Sequence, residues 1–175
     1  GLILGGITGI SPTDVVIIGA GTVGEYACKT AIGLGANVRV FDTSLSRLKR
    51  LEDISNRNIS TSLIVPKILR KALRRADVVV GALRSGDGRT PCVVSEEMIE
   101  EMKEGSVIID VSIDSGGCFE TSDVTSHKNP IFTKHGVIHY CVPNIASRVA
   151  RTSSYAICNV ISPILIKMGE EGGIK

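Results

Sequence analysis

Apolar residues along this chain gather into short β-branched runs, and amphipathic stretches separate the runs. Val15-Val16-Ile17-Ile18 and Val78-Val79-Val80 are the plainest runs, and Val107-Ile108-Ile109 is a third. Continuous runs of this kind suit strands buried on both faces. Between them, Leu45, Leu48, Leu51 and Ile54 recur at helical spacing, as do Ile68, Leu69, Ala72 and Leu73. The pattern predicts strands over residues 15–18, 37–41, 59–65, 77–83, 106–112 and 136–142. It predicts helices over about 22–35, 44–54, 66–75 and 153–168, the last bent at Pro163, and one more opened by Ser95 as N-cap. Strand and helix alternate throughout, so the expected architecture is a parallel sheet covered on both faces.

The first strand is followed by Gly19-Ala20-Gly21-Thr22-Val23-Gly24, a G-x-G-x-x-G turn leading into a helix, and the second strand ends at Asp42. Each part has a task in holding a dinucleotide. Gly19 permits the tight turn, Gly21 lets backbone approach a pyrophosphate, and Gly24 lets helix pack on strand. The helix start offers unpaired N–H groups and a positive dipole end to phosphates. Asp42 would accept hydrogen bonds from an adenosine ribose and repel a 2′-phosphate, which favours NAD over NADP. The fold class is therefore α/β, a Rossmann-type doubly wound parallel sheet in a single domain. S-adenosylmethionine enzymes share an acidic residue after strand two and are the main competitor for this motif; the spacing of Gly21 and Gly24 disfavours them.

Composition narrows the picture. At 175 residues with three Phe, three Tyr and no Trp, the core must be built from Val, Ile, Leu and Ala. Residues 39–75 hold ten basic and three acidic side chains. Apart from Phe41 at the end of the second strand, no aromatics interleave them for base stacking, so solvated helix faces explain the run and no nucleic-acid partner is expected. The five cysteines show no C-x-x-C spacing, which fits reduced thiols in a cytoplasmic protein. The apolar stretch 152–168 carries Asn159 and Pro163 and reads as too short for a comfortable membrane span. A soluble protein is expected, and the absence of an initial Met suggests a piece of a longer chain.

In open α/β sheets the ligand lies beyond the carboxyl ends of the strands. That rule brings Gly19 to Gly24, Asp42, Leu83-Arg84, Ile113-Asp114 and Pro143-Asn144 to one rim. Asp114 is the candidate carboxylate. It precedes Ser115-Gly116-Gly117, where paired glycines allow backbone to pass close to a ligand, and it would bind a ribose or orient an acid–base partner. Its alternative is a turn-capping aspartate. Asp110, inside the strand, reads as less well placed. His135 and His139 lie four apart in a segment that reads as strand, so no metal site is expected. Cys118 has no positioned base and reads as structural or redox-inert.

With the motif, Asp42, the run Ile113-Asp114-Ser115-Gly116-Gly117-Cys118-Phe119-Glu120, the run His139-Tyr140-Cys141-Val142-Pro143-Asn144 and Arg151-Thr152-Ser153 together, the chain resembles the NAD-binding domain of alanine dehydrogenases over nearly its whole length. The resemblance implies a domain spanning residues 1–175 that belongs to a longer two-domain chain. The family reaction would be reversible oxidative deamination of L-alanine to pyruvate and ammonia, with hydride passing to NAD. It implies that Gly19, Gly21, Thr22, Val23 and Gly24 surround the pyrophosphate, that Asp42 binds the adenosine ribose and that Arg47 flanks it. Leu83 and Arg84 would line the cofactor after the fourth strand. Val111, Ser112, Ile113 and Asp114, with Val142, Pro143, Asn144 and Ile145, would surround the nicotinamide half. Asp114 matches the family's catalytic aspartate.

The family's substrate-handling lysine and histidine belong to a second domain, and its members form hexamers, so a homo-oligomer is expected. Three departures stand out: Ile64 where a Ser often helps hold adenine, Asp123 where a basic residue is common, and Ile145-Ala146-Ser147 in place of a Met-Pro stretch. The related reading is the NAD-binding component of a proton-coupled transhydrogenase, which the 114–120 run disfavours. A non-catalytic NAD-sensing module is a third reading, in which Asp114 has no chemical duty.

Overall fold

In the computed structural model, which describes residues 1–172 apart from 57, 85 and 87, the β-branched runs are strands. In chain order the elements are β1 (Asp14–Ile18), α1 (Thr22–Gly33), β2 (Asn37–Asp42), α2 (Leu45–Ile54), β3 (Ser60–Leu63), α3 (Pro66–Leu73) and β4 (Val78–Gly81). They continue with α4 (Glu96–Glu100), β5 (Val107–Asp110), β6 (Ile131–Lys134), β7 (Val137–Tyr140) and α5 (Ala150–Glu170). Ser85 and Asp87, in the polar loop after β4, lie outside the described residues.

Among the described residues the strands form one seven-stranded sheet in the order β3-β2-β1-β4-β5-β7-β6. β1 pairs in parallel with both β2 and β4, so the chain's first strand lies where the sheet is wound in both directions. Successive residues of β1 point to opposite faces. Val16 and Ile18 pack with Phe41, Leu69, Leu73 and Ile99, whereas Val15 and Ile17 pack with Cys28, Val40, Leu48 and Leu51. Both faces are thus covered, as the sequence pattern predicts.

One strand departs from the parallel expectation. β6 runs antiparallel to β7 and forms the sheet edge, with an alternating, half-exposed face. Its hairpin turn is His135-Gly136, with φ of 53° and 73°. Two left-handed central residues match the twist of the flanking strands. His135 therefore lies in a turn, not in the strand read from the sequence.

Other corrections follow from packing. Leu48 and Leu51 are buried, but Leu45 and Ile54 are 67% and 43% exposed, so the α2 stripe is narrower than its spacing implied. Ile68 on α3 is likewise exposed while Leu69, Ala72 and Leu73 are buried. Ser95 occupies the N-cap of α4 without capping it by its side chain. The Glu96 amide instead donates to Glu120 Oε2 at 2.7 Å.

The chain divides into residues 1–143, which hold the whole sheet, and a second unit from residue 144 onward. The second unit comprises a 3₁₀ turn (Ile145–Val149) and α5, which contains Pro163. Helical structure runs continuously over Ile145–Glu170, 26 residues with a mean hydropathy of 1.2 in its most apolar window. This stretch is longer than the 152–168 run marked by sequence. By length and composition alone it suffices to cross a bilayer, a property shared by the core helices of soluble proteins.

Candidate functional site

The carboxyl ends of β1, β2, β4 and β5 carry the candidate site. The glycine turn after β1 is clamped from both sides: the Gly19 amide donates to Phe41 O at 2.7 Å, and the Ala82 amide to Ile18 O at 2.8 Å. Gly19 has φ +114°, and a Cβ there would lie 2.4 Å from Ala82 O. A Cβ on Gly24 would lie 1.8 Å from Gly19 O, so α1 reaches the strand only because both positions lack side chains. Gly21 is different in kind. No protein atom lies within 4 Å of its would-be Cβ, so nothing in the described fold itself demands glycine there.

Gly21 is also the N-cap of α1, and no side chain caps that helix. Its first amides, next to the exposed Thr22 and Val23, face a cleft of about 610 Å³ lined by residues 20–23, Arg47, Arg50, Ala82, Arg84 and Gly86. Helix-start amides in a cleft lined by three arginines, of which Arg50 is paired with Glu25, fit an anionic diphosphate. The residues present thus fit the diphosphate portion of a dinucleotide.

Asp42 is 2% exposed. Its Oδ2 accepts from the Ala20 amide at 2.7 Å and its Oδ1 from the Ser44 amide at 2.8 Å. The carboxylate therefore braces the glycine turn against β2 and the start of α2, and only its remaining lone pairs are left for sugar hydroxyls. Arg47 is exposed at the start of α2. Arg50, one turn further, was not singled out by sequence. Its guanidinium donates to Glu25 Oε2 at 2.5 Å and to Ala20 O at 3.4 Å, linking α2 to α1 and to the glycine turn. Hydrogen bonds from Lys29 and then Arg50 hold the Glu25 carboxyl below the usual range. The three-residue spacing of Arg47 and Arg50 on one helix was the available signal.

Beyond β4, Leu83 is half-buried and Arg84 is exposed on the cleft. The Leu83 carbonyl accepts from Ser112 Oγ at 2.8 Å, which ties this loop to the one after β5. There the chain turns at once into a 3₁₀ turn (Val111–Ser115). Val111 is half-buried, Ser112 and Ile113 are buried, and Asp114 is exposed. Val142 is buried and Pro143 half-buried at the end of the first unit. Asn144 and Ile145 open the second unit, Asn144 with φ 51° at the N-cap of its 3₁₀ turn.

The least expected group is Asp110, 2% exposed at the end of β5. Its Oδ1 accepts from the Ser112 amide at 3.0 Å, and its Oδ2 from the Cys118 amide at 3.0 Å and Ser122 Oγ at 2.6 Å. Burial pushes its carboxyl up, opposed by these hydrogen bonds. A Cβ on Gly117 would lie 2.6 Å from Asp110 Oδ2, and one on Gly81 would lie 3.0 Å from Oδ1. Gly117, read from sequence as room for a ligand, is room for this carboxylate instead.

Two further reactive side chains, Cys118 and His139, are buried in the fold. Cys118 is buried, and desolvation raises its thiol well above the ordinary range. His139 is fully buried, stacks on Phe132, lies 2.7 Å from Thr121 Oγ1 through Nε2 and 3.0 Å from Val137 O through Nδ1. His135 faces Glu96 Oε1 at 2.6 Å, but Lys134 Nζ meets the same oxygen at 2.6 Å. That carboxylate is already matched by two basic groups.

The chain matches the family model described as alanine dehydrogenase/PNT, C-terminal domain, over residues 1–175. It is 44% identical over 173 residues to the alanine dehydrogenase of Methanococcus maripaludis, an alignment covering 98% of this chain and 46% of that protein. Against the alanine dehydrogenase of Bacillus subtilis the identity is 42% over 176 residues, covering 100% and 47%. A solved L-alanine dehydrogenase superposes with a TM-score of 0.95 at 39% identity, covering 98% of this chain and 48% of that one. The chain thus spans about half the length of the curated relatives it matches.

Proposed function

The chain belongs to the alanine dehydrogenase/PNT C-terminal domain family, and from that premise we propose that it is the NAD-binding half of an L-alanine dehydrogenase. The observation that carries the cofactor assignment is the uncapped start of α1, which opens at Gly21 into a cleft ringed by Arg47, Arg50 and Arg84. The reaction would oxidise L-alanine with water to pyruvate and ammonia, and NAD, when bound, supplies the hydride acceptor. The chain's own residues hold and aim. Amides at Thr22 and Val23 receive diphosphate with the guanidinium groups beside them. Asp42 fixes the glycine turn and offers its spare lone pairs to the adenosine ribose, where a 2′-phosphate would meet its charge. Leu83, Arg84, Val111, Ser112 and Ile113 form the rim toward the nicotinamide, with Val142 and Pro143 assigned there by the family resemblance; Asn144 and Ile145, which the resemblance adds, belong to the second unit. Because Ser112 and Ile113 are buried, backbone is what they present.

Asp114, exposed at the carboxyl end of β5, is the carboxylate that orients acid–base chemistry at the reacting carbon. The substrate-binding groups would come from a second domain, and the complete protein would be a cytoplasmic homo-oligomer, a hexamer as in the family it resembles. A transhydrogenase component is the runner-up, disfavoured by the 114–120 run.

Calorimetric titration of this chain with NAD, NADP and S-adenosylmethionine tests the reading. NAD should bind, NADP markedly more weakly and S-adenosylmethionine not at all. Equal affinity for NADP would remove the role given to Asp42. On its own the chain should not turn over alanine; a rate like that of a full-length dehydrogenase would contradict the division of labour proposed here.

A further inference from the structure

The loops after β4 and β5 are fastened, directly or through one link, to a single buried carboxylate. Asp110 accepts from the Ser112 amide at the start of the 3₁₀ turn and from the Cys118 amide beyond it, so it closes the segment that carries Asp114 at both ends. Ser122 Oγ adds a third donor at 2.6 Å. Ser112, held by that carboxylate through its backbone, reaches with its hydroxyl to Leu83 O at 2.8 Å. The Thr90 amide in turn donates to Ser115 O at 2.8 Å, so the loop after β4 is stitched to the same turn at two places. Glycine at 81 and at 117 leaves the space the carboxylate occupies. A buried group with donors filling both oxygens, seated between two side-chain-free positions, specifies one arrangement of the backbone around it.

We propose that Asp110 is a positioning residue for the nicotinamide half of the cofactor, acting through the Val111–Ser115 turn and Leu83 rather than by touching the ligand. This rests on the dinucleotide reading given above. On this reading Asp42 braces the adenosine side of the site and Asp110 the nicotinamide side.

The test uses two ligands that share an adenosine diphosphate portion. NADH carries the nicotinamide and ADP-ribose stops short of it. In Asp110→Asn, an amide NH₂ must face a backbone N–H, and the turn loses an anchor. NADH affinity should fall by about tenfold, while ADP-ribose affinity stays within about twofold. The enhancement of NADH fluorescence on binding should diminish in parallel. Ser122→Ala removes one donor and leaves both amides in place, so it should fold as the unmodified chain does and show the same selective loss at about threefold. Equal weakening of both ligands would reduce Asp110 to a general stabiliser and overturn the proposal, as would unchanged NADH affinity in both variants. If Asp110→Asn fails to fold, Ser122→Ala alone decides on the same two criteria. An unmodified chain that binds neither ligand would overturn the dinucleotide reading, and this inference with it.

Discussion

A Cβ on Gly24 would lie 1.8 Å from the carbonyl oxygen of Gly19, whereas one on Gly21 would meet no protein atom within 4 Å. Two glycines three residues apart in one motif therefore answer to different demands. Gly24→Ala should force α1 away from β1 and lower stability by about 1–3 kcal/mol. Gly21→Ala should leave the melting temperature nearly unchanged and weaken NAD instead, because its methyl would enter the path of the ligand. Thermal melts with parallel NAD titrations separate the two, and a stable Gly24→Ala chain would contradict the packing argument.

Asp42 is predicted to have both a structural and a selective role. Asp42→Asn turns one acceptor of a buried pair of backbone amides into a donor, so stability should drop by about 1–3 kcal/mol. The preference for NAD over NADP should shrink as the charge disappears. Chemical denaturation measures the first effect and competitive titration with the two nucleotides the second. A variant that keeps full discrimination would move cofactor choice elsewhere in the cleft.

The Glu25–Arg50 pair sets a guanidinium at the cleft mouth. Arg50→Gln should lower NAD affinity by roughly threefold to tenfold and flatten its dependence on salt, since an exposed charge acts through a screened field. Titrations at low and high ionic strength check this. An unaltered affinity and salt slope would show that the arginine serves only to join α1 and α2.

His139 makes stability depend on pH in a defined direction. Burial holds its imidazole below the ordinary value, so the unfolded chain binds a proton more readily than the folded one. Its contribution is fully present above the unfolded value of about 6.5 and is lost as pH falls from there toward the folded value, at no more than about 1.4 kcal/mol per pH unit. Unfolding free energy measured from pH 8 down to pH 5 should show this decline. His139→Gln, which removes the titrating ring, should weaken that dependence.

What the sequence disclosed follows from how local each signal is. Strand runs and the glycine turn are contiguous, and β1, α1 and β2 were legible to within a few residues for that reason. Asp42 was found, but its bond from the Ala20 amide was not, because Ala20 is close to it only after β1 and β2 pair. Asp110 was passed over as a strand residue. Its significance comes from Gly81 at the end of β4 and from Gly117, Cys118 and Ser122, two segments that the fold gathers around it. β6 went unseen because an edge strand exposed on one side shows no continuous apolar run. The same logic hid the Glu120 cap on α4: a side chain from twenty-four residues away outcompetes the local Ser95.

The bare amino end of α1 has a thermodynamic corollary. An anion that settles there completes the helix as well as occupying the cleft, so nucleotide uptake and fraying of that first turn are coupled by mass action. Cellular dinucleotide concentration would then govern how long the fold survives proteolysis or heat, independently of any turnover.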